Sequence, residues 1–212
     1  MGVVELAFEF ARGEMPIEGS HDFYHCVRVL NISRKIAKTE NCDLLVVELA
    51  ALLHDIEDWK YSGNDMHSKS ENFLAENGVS REKISAILYI VRNLSFKGKR
   101  SEKQLDTIEA KIVRDADRLD ALGAIGIARC FAYGGSKGKP LWGAEKEKAG
   151  LFESSESAYR ASNSSSIMHF YEKLLHLKDL MLTSEGKKIA EARHKFTEAY
   201  LKEFFDEWNG DN

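Results

Sequence analysis

Asp43-Leu44-Leu45-Val46-Val47-Glu48-Leu49-Ala50-Ala51-Leu52-Leu53-His54-Asp55 is the stretch that decides how this chain reads. Apolar on nearly every side and interrupted once, by Glu48, it predicts a helix from Leu44 to about Ile56 buried at the centre of a helical core, with Asp43 as its N-cap. The run ends in His54-Asp55. Imidazole nitrogen and carboxylate oxygen are the ligand types that bind Mn, Fe, Co, Ni or Zn without thiols. Adjacent residues point about 100° apart on an ideal helix, so both can reach one ion only where the helix ends or frays. His25 precedes this pair and Asp117 follows it, both in helical patterns. Four ligands drawn from three helices is a common way for a bundle to build one metal site.

Outward from that run the pattern stays helical. The chain has two prolines, Pro16 and Pro140, and apolar residues recur at three- and four-residue spacing between the Gly- and Ser-rich breaks. Helices are expected over Val3 to Ala11, from about Asp22 to Thr39 with Ser20 or Asp22 as N-cap, and around His67 to Asn77, Ser80 to Asn93, Asp106 to Tyr133, Ser164 to Leu182 and Glu185 to Trp208. Gly134 to Ser166, dense in Gly, Ser and Lys, reads as one long irregular stretch. No internal repeat is present. With 212 residues and 43% hydrophobic content the chain can bury a sizeable core. The expected architecture is all-α: one domain over 1–212, with site-bearing helices over about 20–134 and C-terminal helices over about 164–208.

A net charge of −4 gives no global attraction to nucleic acid or an anionic membrane, so positive charge for a phosphate must be local. Met1 to Glu14 lacks the layout of a secretory signal, and Leu44 to Leu53 is too short to span a bilayer. Cys26, Cys42 and Cys130 are odd in number and form no C-x-x-C pair, which argues against a disulfide framework or a thiolate metal cage and fits the cytoplasm. Three carboxylates, Asp115, Asp117 and Asp120, lie among small and apolar residues in Val113-Arg114-Asp115-Ala116-Asp117-Arg118-Leu119-Asp120-Ala121-Leu122-Gly123, where a cation would offset the cost of burying them.

Four blocks together resemble the HD phosphohydrolase superfamily, whose signature is H…HD…D. They are His21-Asp22-Phe23-Tyr24-His25-Cys26-Val27-Arg28-Val29, Leu52-Leu53-His54-Asp55-Ile56, the stretch from Asp115 to Arg129, and His169-Phe170-Tyr171-Glu172-Lys173-Leu174. The likeness is to a branch of stand-alone bacterial proteins and covers nearly the whole chain. It implies an HD helical bundle with His25, His54, Asp55 and Asp117 as metal ligands. Asp117 is preferred over Asp115 and Asp120 because Ala-Asp-Arg-Leu is the form in which many HD proteins carry their last ligand. His21, four residues before His25, becomes a substrate or supporting contact. His67 is similar to the extra histidine of two-metal HD proteins, but Arg92-Asn93-Leu94-Ser95-Phe96 lacks the histidine that usually accompanies it, so one divalent ion (Mn, Mg, Co, Ni, Fe or Zn) is expected. His169, His176 and His194 read as packing residues.

A divalent ion in such a site acidifies water and neutralises charge at phosphorus, which makes hydrolysis of a phosphate ester or anhydride the natural chemistry. Asp58, three residues after Asp55, is the candidate acid/base, with Glu57 as the alternative if the helix ends early. Arg28, Arg118, Lys60, Lys97 and Lys137 are the candidate phosphate contacts, joined by Lys99 and Lys139 in the same loops. Phe23, Tyr24, Trp59, Tyr61, Phe96 and Tyr133 can supply an aromatic face for a base, although such residues are more often core. Neither Gly-rich segment has the G-x-x-x-x-G-K-[ST] form, which excludes a P-loop. The leading expectation is a nucleoside triphosphate pyrophosphohydrolase acting as monomer or homodimer on a small-molecule nucleotide, without nucleic-acid or membrane partners. A 5'-nucleotidase-type phosphomonoesterase, a nucleotide-binding sensor and a di-iron oxygenase on the same fold stay open as alternatives.

Overall fold

The computed structural model describes residues 1–15, 22–56, 68–94, 105–143 and 164–211, and among them all regular structure is helical. Nine α-helices are present among the described residues: α1 (Val3–Glu14), α2 (Phe23–Ala37), α3 (Leu44–Leu53), α4 (Ser68–Glu76), α5 (Arg81–Leu94), α6 (Ile108–Leu119), α7 (Gly123–Ser136), α8 (Ser166–Glu172) and α9 (Ser184–Asn209). A 3₁₀ helix, Leu174–Leu180, follows α8. The described residues fall into two compact units, one holding those before residue 95 together with 105–117, the other those of 118–211. Among the described residues no helix is long and apolar enough to cross a membrane.

In the first unit α3 is the hub. Val47, Leu49, Ala50, Ala51, Leu52 and Leu53 have no exposed surface, and α1, α2 and α5 pack around them. Burying each of the larger side chains contributes about 1.5–3 kcal/mol. Glu48, the polar interruption of the run, turns to Arg34 of α2, whose Nε donates to its carboxylate at 2.6 Å. The start of α3 is pinned by Asp43. Its carboxylate accepts from the N–H groups of Leu45 at 3.1 Å and Val46 at 3.3 Å, a cap worth about 1 kcal/mol. Its own N–H donates to Glu109 of α6 at 2.9 Å, and Lys83 of α5 pairs with its carboxylate. One aspartate therefore ties three helices together at the end of α3 remote from His54.

The second unit packs α7, α8, the 3₁₀ helix and α9 around an aromatic cluster in which Phe131, Phe170, Tyr200 and Phe204 lie with ring centroids 6.1–6.5 Å apart. Ser165 caps α8 and Thr183 caps α9, each hydroxyl accepting a backbone N–H three residues on. Gly210, at φ 76°, ends α9 in the left-handed conformation that glycine adopts without steric cost.

Two expectations about helix continuity are corrected. The single helix read over Asp106 to Tyr133 is two, α6 and α7. The chain breaks because Ala121 and Leu122 close tight turns onto the carbonyls of Arg118 and Leu119, both at 3.1 Å, and Gly123 takes a φ of 71°. The helix read over Ser164 to Leu182 ends at Lys173, whose φ of −144° leaves helical geometry before the 3₁₀ turn begins. The third helix stops at Leu53 rather than near Ile56, which leaves His54 and Asp55 just beyond its last residue. Of the stretch from Gly134 to Ser166, residues 134–136 complete α7 and 144–163 lie outside the described residues.

The turn between α6 and α7 is intolerant of added volume: a β-carbon on Gly126 would stand 2.2 Å from the Ala121 carbonyl oxygen, which is backbone and cannot swing away. Gly126→Ala is expected to cost about 2 kcal/mol in urea unfolding. Gly135→Ala, with nothing within 4 Å of the new carbon, is expected to be neutral or stabilising.

Candidate metal centre

Three helix ends in the first unit carry the chemistry. His25 occupies the first turn of α2, where the Asp22 carboxylate caps the helix by accepting the His25 N–H at 2.9 Å. His54 is the residue after α3, still in helical backbone geometry, and its Nδ1–H donates to the Ala51 carbonyl at 2.8 Å. That carbonyl belongs to the last turn of α3, where helical partners run out. Because a carbonyl only accepts, the proton sits on Nδ1 and the lone pair of His54 is on Nε2. Asp55 follows off the helix, and Asp117 stands in the last turn of α6. The carbonyl ends of α3 and α6 are the negative ends of their dipoles, which favours a cation beside both.

The donor atoms converge. His25 Nε2 lies 3.2 Å from His54 Nε2, 3.2 Å from Asp117 Oδ1 and 3.6 Å from Asp55 Oδ2. His54 Nε2 lies 3.6 Å from Asp55 Oδ1 and 4.0 Å from Asp117 Oδ1. The ligand atoms of His25, His54 and Asp55 all fall within 4.8 Å of one another. Ligands held at about 2.0–2.2 Å from one ion stand about 3.0–3.5 Å from each other, so only a small contraction would let this set close on a first-row divalent cation. The two imidazoles meet edge to face, with centroids 5.1 Å apart and planes at 68°, an arrangement that points both Nε2 atoms to a common spot.

Electrostatics lead to the same conclusion. Burial alone would drive the His54 imidazole towards its neutral form, but Asp55, Cys26 and Asp117 outweigh it and hold its pKa well above the ordinary histidine value. Burial would likewise raise Asp117, yet the hydrogen bond and charge of His25 and the charge of His54 lower it. The two Nε2 atoms face each other at 3.2 Å beside two carboxylates, so either a ring hydrogen or a metal ion must lie between them.

The structure separates the other site residues read from sequence. Arg28, one turn after His25, is partly exposed, with its guanidinium 3.9 Å from the Asp22 carboxylate. Arg118 is 5% exposed and donates to the Leu180 carbonyl at 3.2 Å, which commits part of its guanidinium to the interior of the second unit. Lys137 lies 5.8 Å from the centroid of the Tyr133 ring. Of the two alternatives to Asp117, Asp115 is fully buried and Asp120 pairs with Arg129 at 2.9 Å. Glu57, Asp58, Lys60, Lys97, His21 and His67 lie outside the described residues, as do Trp59, Tyr61, Phe96 and Lys99. Cys26 is the neighbour that sequence reasoning missed. Its buried thiol sits beside His54, lies 3.3 Å from the Met15 sulfur and is held protonated chiefly by burial. Residues 25 and 26 point about 100° apart on a helix, so nothing in the sequence placed both against one partner.

Comparisons with known proteins identify the family. A family model described as HD domain matches residues 22–122. The Bacillus subtilis protein YpgQ is 39% identical over 187 residues, which is 86% of this chain and 82% of that one. Its crystal structure in complex with ADP superposes with a TM-score of 0.76 and 33% identity over 96% of this chain and 97% of that one. A Lactobacillus plantarum structure gives a TM-score of 0.85 at 30% identity, covering 98% of this chain and 97% of that one. An HD-superfamily hydrolase from Bacillus thuringiensis gives 0.76 at 38% identity over 97% and 96%.

A raised His54 pKa means that a divalent ion must displace a proton to bind, so affinity is present above that pKa and is lost as pH falls through it. Calorimetric titration of the metal-free protein with Mn²⁺, in buffers of different ionisation enthalpy, is expected to show proton release and an affinity that keeps rising with pH beyond the ordinary histidine range. His54→Ala and Asp55→Ala are each expected to weaken binding by at least about 100-fold.

Proposed function

The chain belongs to the HD family of metal-dependent hydrolases, and on that premise we propose that it is a nucleoside triphosphate pyrophosphohydrolase, a cytoplasmic enzyme acting as monomer or homodimer with all of 1–212 as one HD domain. The observation that carries the hydrolytic reading is the convergence of His25, His54, Asp55 and Asp117 on one point. We take these four as the ligands of one divalent ion, Mn²⁺ in first preference. When bound, such an ion acidifies a water and offsets negative charge at phosphorus. The nucleotide part of the reading is supported by the ADP complex of YpgQ and by a partly exposed guanidinium, that of Arg28, one turn after His25 on α2.

The chain's own residues then have distinct tasks. His25 and His54 would act as neutral donors, the Asp22 cap fixing the backbone at His25 and the Nδ1–H bond to Ala51 fixing the ring of His54. Asp55 and Asp117 supply the negative charge that a divalent ion requires. Arg28 neutralises phosphate oxygens with its planar fork. Asp58, or Glu57 in its place, accepts a proton from the attacking water, and His21, Lys60, Lys97, Lys137 and Arg118 complete the proposed substrate contacts. Water adds at the α-phosphorus, the bond to the α,β-bridging oxygen breaks, and monophosphate and pyrophosphate leave.

Product release from a panel of nucleoside mono-, di- and triphosphates, with the metal-free protein reloaded with Mn²⁺, Mg²⁺, Co²⁺ or Ni²⁺, tests the reading. Pyrophosphate from triphosphates is expected, falling by at least about 1,000-fold in both His54→Ala and Asp117→Ala. Orthophosphate from monophosphates would make the enzyme a nucleotidase. No turnover with any metal would overturn the hydrolase assignment in favour of a sensor or an oxygenase.

A further inference from the structure

Tyr24 departs from its neighbours on α2. Phe23 and His25 are buried, 7% and 2% exposed, while Tyr24 between them is 61% exposed. The core at this end of the helix already has its aromatic, because Phe23 packs edge-on against Phe8 at 4.8 Å. Among the described residues the Tyr24 ring has Phe23 as its ring neighbour, at 5.8 Å, and with most of its surface exposed it fills little interior space. A single exposed ring is ordinary on a protein surface; what distinguishes this one is its position. It is adjacent in sequence to His25, and it stands four residues before Arg28, so the two share one face of α2 with β-carbons about 5–6 Å apart. His25 lies on the same turn, rotated about 100° from Tyr24 and about 60° from Arg28. The first turns of α2 thus carry an exposed π surface and a partly exposed guanidinium on one face, with one of the four converging donors buried on the adjoining face.

A ligand that matches this arrangement needs a planar heterocycle at one end and phosphates at the other. We propose that Tyr24 is the nucleobase platform of the site: the base stacks on its ring, Arg28 takes a phosphate, and the reacting phosphate lies towards His25. The proposal rests on the nucleotide reading above and names the residue that tells a nucleotide from a bare phosphate chain. Stacking uses the π face common to all bases, so Tyr24 accepts purines and pyrimidines with little discrimination, and its hydroxyl plays no part.

Equilibrium binding separates this inference from the question of turnover. ADP and inorganic pyrophosphate are titrated into the Mn²⁺-loaded protein by calorimetry, with Tyr24→Ala and Tyr24→Phe alongside. Wild type is expected to prefer ADP, Tyr24→Ala to lose roughly tenfold or more of that preference, and Tyr24→Phe to retain it. Since the side chain is mostly exposed, both variants are expected to melt with the wild type. Equal weakening towards the two ligands, an unmoved preference in Tyr24→Ala, or a wild type without preference for ADP would overturn the platform. The readout needs no hydrolysis. A protein that passes it yet turns over no nucleotide refutes the enzyme reading alone, and one that hydrolyses triphosphates but fails it refutes the platform alone.

Discussion

Two imidazole nitrogens facing each other at 3.2 Å, with two carboxylates within 4.0 Å, form the constraint around which the first unit is organised. With neither a ring hydrogen nor a metal ion between them two lone pairs would repel, and buried carboxylates without a partner are among the most destabilising features a fold can carry. The arrangement is stable only with a proton or a metal ion at its centre. Because the ligand atoms already stand near the separations one ion would impose, little reorganisation is required on binding. That is the sense in which the site is made for a divalent cation.

Holding these side chains to such tolerances requires rigid helix ends, and the first unit secures those of α2 and α3 separately. Asp22 fixes the start of α2, Ala51 fixes the imidazole at the end of α3, and Asp43 locks the far end of α3 to α5 and α6. The fully buried side chains of Val47 and of Leu49 to Leu53 give α3 no room to slide, since any shift would open cavities along its length. Functional geometry built on helix termini and supported by buried hydrogen bonds is more exact than geometry carried by loops.

The second unit obeys a different economy. Its interior combines an aromatic cluster with arginines that satisfy backbone carbonyls: Arg118 donates to Leu180, Arg193 to Leu119 and Arg129 to Asp120. Gly123 donates its N–H to the Thr197 hydroxyl at 3.2 Å, so the turn after α6 is stitched to α9 by side chain as well as by shape. A cationic residue close in sequence to an aspartate of the candidate metal centre is therefore not by that fact a phosphate ligand. Arg118, next to Asp117, spends at least one of its donors on the fold.

The helical class, the central position of α3 and the capping roles of Asp22 and Asp43 were legible from local sequence, because periodicity, an unbroken apolar run and cap chemistry act over a few residues. The HD motif with His25 and Asp117 was legible as a set of donor types. The break at Gly123 was not, since a glycine inside an apolar pattern reads equally well as a tolerated helix residue or as a left-handed turn, and the tight turns that Ala121 and Leu122 close onto Arg118 and Leu119 decide between them. Nor did the sequence determine that Phe23 turns inward and Tyr24 outward, that the Cys26 thiol lies beside His54, or that Arg118 faces Leu180. Those outcomes depend on which surfaces of neighbouring helices are already filled. Local sequence by itself determined which residues can donate to a cation and which segments coil; only tertiary packing decided which donors share a point, because contact between residues far apart in the chain is a property of the assembled core.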